Sequence, residues 1–115
     1  MRKDNIIRLK HMLEAAREAL SFSENRTKDD LYSDRMLALS IIKSIEIIGE
    51  AASTVTKEFR DKHSEIPWAS IIAMRNRLIH VYFDIDLERV WDTITDDLPP
   101  LIIAVEEVID RESNT

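Results

Sequence analysis

The sequence predicts an all-α fold, an antiparallel bundle of four main helices plus a short extra one, and three observations lead there. Apolar residues recur at three- and four-residue steps along most of the chain. The 115 residues include one glycine and three prolines, too few for the tight turns that a sheet protein needs. Apolar residues make up 44% and charged residues 33%, enough to bury one core, and a second core does not fit in this length. A single domain spanning residues 1–115 is therefore expected.

The elements follow in order. Ile6, Leu9, Leu13, Ala16 and Leu20 give the first helix, from about Lys3 to Phe22, with Asp4 or Asn5 as its cap. Ser23 to Lys28 reads as a loop. Asp29 and Asp30 then place negative charge where the next helix begins, which its dipole favours. That second helix is predicted to be long, from Asp30 to Phe59, with Leu37, Ile41, Ile45, Ile48, Ala51, Ala52 and Val55 clustered on its wheel. Ala38 and Ile42 widen the stripe on one side and Ile47 on the other, to an arc of roughly 220° where ~100° serves a one-sided surface helix. Such a helix sits centrally in its bundle or faces a second subunit. Gly49, inside it, costs about 1 kcal/mol relative to alanine and suggests close approach of a neighbouring helix.

Arg60 to Ile66 is charged and aperiodic, hence a connection. Pro67 suits the first turn of a third helix carrying Trp68, Ile71, Ile72, Arg75, Leu78, Ile79 and Tyr82. Phe83 to Asp86 breaks the pattern, and Asp86 can cap a fourth helix through Leu87, Val90, Trp91 and Ile94. Pro99-Pro100 interrupts, and Leu101 to Asp110 forms a last helix with Ile102, Val105 and Ile109 as its spine. A polar tail begins at Arg111.

Composition narrows the function. No apolar run approaches the ~20 residues of a membrane span, and no signal peptide opens the chain, so a cytoplasmic protein without membrane attachment is expected. Cysteine is absent, which removes disulfides, thiolate catalysis and cysteine-held zinc. Lys and Arg number 16 against 22 Asp and Glu, a formal charge of −6, which argues against coating nucleic acid by bulk electrostatics. A local cationic site stays open.

Such a site stands between Trp68 and Tyr82, a stretch without one acidic residue. Arg75, Arg77, His80 and Tyr82 gather there, with Asn76 beside the first arginine. The set suits metal-free cleavage of an RNA backbone. A neutral imidazole takes the proton of a ribose 2′-hydroxyl or returns one to the leaving oxygen. A guanidinium stabilises charge on the non-bridging phosphate oxygens. Asn76 can hold the phosphate or the imidazole tautomer, Arg77 adds a phosphate contact, and Tyr82 can bind phosphate or stack a base. On a regular helix, residues five apart stand roughly 140° round the wheel, so Arg75 and His80 share no face, whereas Asn76 and His80 do, as do Arg75 and Tyr82. Convergence then requires arginine's reach, a helix that ends near His80, or a second copy of the chain. By itself the R-x4-H spacing is weak, since a helix-terminal histidine beside surface arginines produces it too.

The segment from Ile66 to Leu101, IPWASIIAMRNRLIHVYFDIDLERVWDTITDDLPPL, carries W-x-x-I-x-x-M-R-N-x-L-x-H-x-Y followed by an aspartate and a V-W pair. It resembles the HepT-like toxins of the HEPN superfamily, and the upstream block Ile45 to Ala51 is similar to their second helix. The resemblance implies a HEPN-like bundle and a metal-independent endoribonuclease that needs no cofactor, acting as the toxin of a type VII toxin–antitoxin system on RNA, in some members transfer RNA. It further implies a homodimer whose two motifs line one cleft, and an antitoxin partner, an MNT-type nucleotidyltransferase, that in some pairs transfers AMP onto the motif tyrosine, here Tyr82. Arg75 and His80 become the catalytic candidates; Asn76, Arg77 and Tyr82 the auxiliary ones. A non-enzymatic alternative uses the same residues: a helical dimer whose positive cleft binds a nucleotide or docks a nucleotidyltransferase.

Other residues rank lower. Glu46 and Glu50 lie one turn apart, but the Glu-x-x-His pairs of a di-metal bundle are absent, so no metal site is expected and a polar stripe is the simpler reading. Glu46 stays a candidate for orienting Arg75 or Arg77 across the bundle. His11 and His63, in charged surroundings, read as surface histidines, and Trp68 and Trp91 as core or interface anchors.

Overall fold

The computed structural model describes the backbone of residues 2–81 and 84–114 and the side chains of residues 3–74 and 85–114. Its order is α1 (Arg2–Ser23), α2 (Lys28–Ser33), α3 (Arg35–Ser53), α4 (Lys57–Lys62), α5 (Trp68–Leu78), β1 (Ile79–Val81), β2 (Asp84–Ile85), α6 (Leu87–Asp92), a π-helical turn (Thr93–Asp97) and α7 (Leu98–Ser113). The fold is an all-α helical bundle carrying one small antiparallel ribbon.

Helix α1 packs chiefly on α3, α5 lies on the other flank of α3, and α7 lies on α1. Leu9, Met12, Ala16 and Ala19 of α1 and Ile41, Ile45, Ile48 and Ala52 of α3 are all buried in one core, with Trp68, Ile71 and Met74 from α5 and Leu101, Val105 and Val108 from α7. Burial of each such isoleucine contributes about 1.5–3 kcal/mol. Small residues on both helices, Ala15, Ala16 and Ala19 of α1 and Ala38, Gly49 and Ala52 of α3, are buried. The predicted apolar stripe of α3 holds, except that Ile47 is 37% exposed; Leu39 and Met36, nearer the start of the same helix, are exposed as well.

The expected helix over residues 30–59 is in fact α2, α3 and part of α4. Asp34 makes the first break. Its carboxylate accepts the Leu37 N–H at 3.1 Å and an Arg26 N–H at 2.8 Å, which ends α2 and caps α3. Thr54 and Thr56 make the second. Thr56 caps α4 and is clamped by Asn5, whose Nδ2 donates to Thr56 Oγ1 at 3.0 Å and whose Oδ1 accepts the Thr56 N–H at 3.1 Å. Asn5 is therefore a buried tie between α1 and the α3–α4 junction, and it does not cap its own helix. Helix α4 takes up the start of what reads as a connection. After α1, Asn25 adopts a left-handed backbone (φ 60°), which asparagine tolerates better than most residues.

Pro67 precedes α5, and its carbonyl accepts the first helical bond, from the Ile71 N–H at 3.0 Å. Asp86 caps α6 through the Arg89 N–H at 3.1 Å, as its position predicts. Pro99 and Pro100 do not separate two helices, because both stand in the first turn of α7. Lacking N–H groups, they leave the carbonyls of Thr95 and Asp96 without α-helical donors. The chain widens just before them into the π turn, where the Leu98 N–H donates to the Thr93 carbonyl five residues back. Helix α7 also outruns its expected end. It reaches Ser113, with Glu112 buried and Arg111 paired to Glu65, so this segment is no frayed tail.

Candidate functional site

The candidate segment begins on a fixed base. At the start of α5, Trp68 is buried and its indole N–H donates to the His63 carbonyl at 3.0 Å. His63 is itself buried, contrary to the surface position read from its neighbours. Its Nε2 stands 2.8 Å from Glu112 Oε2, and its ring packs on Phe59 with centroids 4.6 Å apart. Lys62 Nζ reaches the same Glu112 oxygen at 3.1 Å. The Lys62 ammonium, joined by His63, holds the Glu112 carboxyl below the usual carboxylate range against the opposing effect of burial. Nothing in the local pattern announces this pair, since its members lie 49 residues apart. His11 is exposed, as expected.

From that base α5 runs along α3 and brings the backbone of Arg75, Asn76 and Arg77 into its last turn. The helix stops at Leu78, four residues short of the predicted Tyr82. Ile79, Val81 and Ile85 are β-branched, and the chain there forms a ribbon in which Ile79 pairs with Ile85 and Val81 with Asp84, with an irregularity between. His80 consequently sits on β1, two residues beyond the helix. The wheel argument therefore no longer applies to it. The facing of Asn76 with His80, and of Arg75 with Tyr82, assumed a helix that does not continue. A helix that ends near His80 was one of the conditions for convergence, and the backbone meets it. Tyr82 and the side chains of Arg75, Asn76, Arg77 and His80 lie outside the described residues.

Glu46 faces solvent in part on α3, the helix that α5 packs against, and its described partner is Lys43 at 4.0 Å. Its proposed reach to Arg75 or Arg77 falls outside the described residues. Among the described residues, no group of three or more histidine, aspartate or glutamate side chains is placed to hold a metal ion. Among the same residues, no helix is long and apolar enough to cross a membrane.

Two clefts flank the start of α5, and both are lined by Pro67 and Ser70. One, of about 530 Å³, has Lys57, Arg60, Asp61 and Ser64 in its wall. The other, also about 530 Å³, is lined by Glu65, Asp96, Asp97 and Arg89 together with the apolar Ile71 and Met74. The π turn supplies two of those three carboxylates. The first cleft is thus cationic on balance and the second anionic.

Comparison with known proteins places this chain in company. The family model described as Ribonuclease HepT-like matches residues 12–108. The chain is 36% identical over 104 residues to a protein of Caldanaerobacter subterraneus named "Putative RNase", covering 90% of this chain and 93% of that one. It is 36% identical over 96 residues to the "Probable ribonuclease HepT" of Thermococcus cleftensis, covering 80% of this chain and 87% of that one. It is 38% identical over 117 residues to the "Gamma-glutamylcyclotransferase and putative RNase" of Methanocaldococcus jannaschii, covering 99% of this chain. This chain spans about half of that longer protein, 53%. No solved structure matches the chain.

Proposed function

The chain belongs to the ribonuclease HepT-like family, and from that premise we propose that it is a metal-independent endoribonuclease, the toxin of a toxin–antitoxin pair. The observation that carries this reading is the family match over residues 12–108, which includes the whole segment from Arg75 to Tyr82. His80 is the general acid/base. It removes the proton of a ribose 2′-hydroxyl, the 2′-oxygen bonds to phosphorus, and the bond from phosphorus to the 5′-oxygen breaks as that oxygen is protonated. Arg75 holds the non-bridging oxygens as charge builds on them. Asn76, Arg77 and Tyr82 bind the phosphate or the neighbouring base, and Glu46 orients one of the arginines.

Two motifs meet in a homodimer, for which the exposed Met36, Leu39 and Ile47 of α3 offer an apolar surface. The antitoxin is an MNT-type nucleotidyltransferase. It silences the toxin by complex formation or by placing AMP on Tyr82, where a bulky anion excludes the substrate phosphate by size and like charge.

The test is purified protein incubated with total RNA in the presence of a chelator. Cleavage that disappears with His80→Ala, while the melting temperature stays put, supports the reading. RNA that is bound and never cut favours a non-catalytic binding module instead. Parental cleavage by the His80→Ala protein removes His80 from the mechanism.

A further inference from the structure

We infer that the cationic cleft beside the start of α5, with Arg60 in its wall, is a second phosphate subsite for the RNA strand; this rests on the ribonuclease reading above. Arg60 makes no ion pair among the described residues, and its Nε is buried without a hydrogen-bond partner. Arg60 is partly exposed in the cleft wall and no carboxylate pairs with it among the described residues, so its charge is available to an entering anion. A phosphate entering the cleft compensates it.

Helix α4 does not need Arg60 to close its end, because the Phe59 and Arg60 carbonyls already accept the His63 N–H at 3.1 and 3.2 Å. Asp61, the one carboxylate in the cleft wall, is engaged by Lys57 at 2.9 Å and does not compete for Arg60. The adjoining cleft repels phosphate through Asp96 and Asp97, Glu65 being paired with Arg111, so an RNA strand along α5 is steered to the Arg60 side. No acidic residue interrupts the sequence from Ile66 to Phe83, so no carboxylate of that stretch opposes a phosphate between the cleft and the motif. Ser70 at the cleft and Arg75 at the motif are five residues apart on α5, roughly 8 Å along the axis and ~140° round it, so a strand joining them crosses the helix obliquely. A nucleic-acid strand rising about 3.4 Å per nucleotide needs at least two to three nucleotides to cover it.

The experiment measures binding of a 2′-O-methyl RNA oligonucleotide, which cannot be cut through its 2′-oxygen, to the full chain at several salt concentrations. Arg60→Gln should weaken binding to all sequences alike and lower the slope of log affinity against log salt by about 0.7, the value for one phosphate on a single strand. Arg60→Lys should keep most of the slope, and Arg89→Gln in the acidic cleft should leave it unchanged. An unchanged slope in folded Arg60→Gln protein overturns the subsite and leaves the ribonuclease reading standing. A parental chain that neither binds nor cuts RNA overturns both. A second measurement needs no variant: one uncharged methylphosphonate linkage walked along the oligonucleotide should weaken binding at two positions at least two nucleotides apart. A single sensitive position overturns the subsite.

Discussion

At its start, α5 is locked by Trp68, whose indole is bonded to the His63 carbonyl, and by the buried His63–Glu112 contact beneath it. At its end, the same helix gives way to a two-residue-register ribbon, and the polar residues Arg75, Asn76, Arg77 and His80 follow one another across that change of backbone. One end invests its side chains in packing with residues distant in sequence. The other carries the residues to which the proposed function assigns the RNA phosphate. On that proposal the division has a purpose, because a loosely held base would leave phosphate-binding groups poorly aimed.

The division can be broken at either end, with opposite signatures. The largest expected effect is on the motif side: His80→Ala should lower RNA cleavage by about 10²–10⁴-fold in chelator and leave thermal unfolding unchanged. At the anchored end, Trp68→Ala should cost about 3–5 kcal/mol in urea unfolding. Cleavage per folded molecule should be largely retained there, measured on the folded fraction. If instead His80→Ala unfolds the protein and Trp68→Ala spares it, the contrast between the two ends is wrong.

Glu112→Gln sharpens the anchored end. Removing the charge that faces His63 and Lys62 should cost about 1–3 kcal/mol at neutral pH. The parental carboxyl has a lowered pKa when folded, so its stabilisation is complete above the unfolded glutamate value near ~4.3 and is lost as pH falls through the lower folded value. Denaturant midpoints measured from neutral to strongly acidic pH should therefore fall more steeply for the parental chain than for Glu112→Gln. The smallest effect belongs to the exposed Arg17–Glu106 pair joining α1 to α7. There Arg17→Ala should change stability by about 0.2–1 kcal/mol, and less in high salt.

The same contrast explains what was legible beforehand. The main helices show in the sequence because Leu9, Ile41, Ile45, Ile71 and Val105 keep helical spacing, and spacing is a local property. The motif is legible too, because its residues are consecutive. What escaped depends on partners far along the chain. Thr56 can end a helix because Asn5 meets it from 51 residues away, and His63 can be buried because Glu112 arrives from the last turn of α7. Arg60 gave no signal, since its isolation is visible only once the carboxylates of its neighbours are assigned. The end of α5 lies between these cases. Ile79 and Val81 favour strand, but with Leu78 they also continue an apolar helical stripe, and pairing with β2 decides between the two.

The π turn ahead of α7 sets the rotational phase of everything after it. Deleting one residue between Thr93 and Asp97 would turn the whole of α7 by about 100°, swinging Leu101, Val105 and Val108 away from α1 and carrying Glu112 off His63. A change of one residue there would thus release the footing of α5 from the far end of the molecule, with every side chain of α5 left intact.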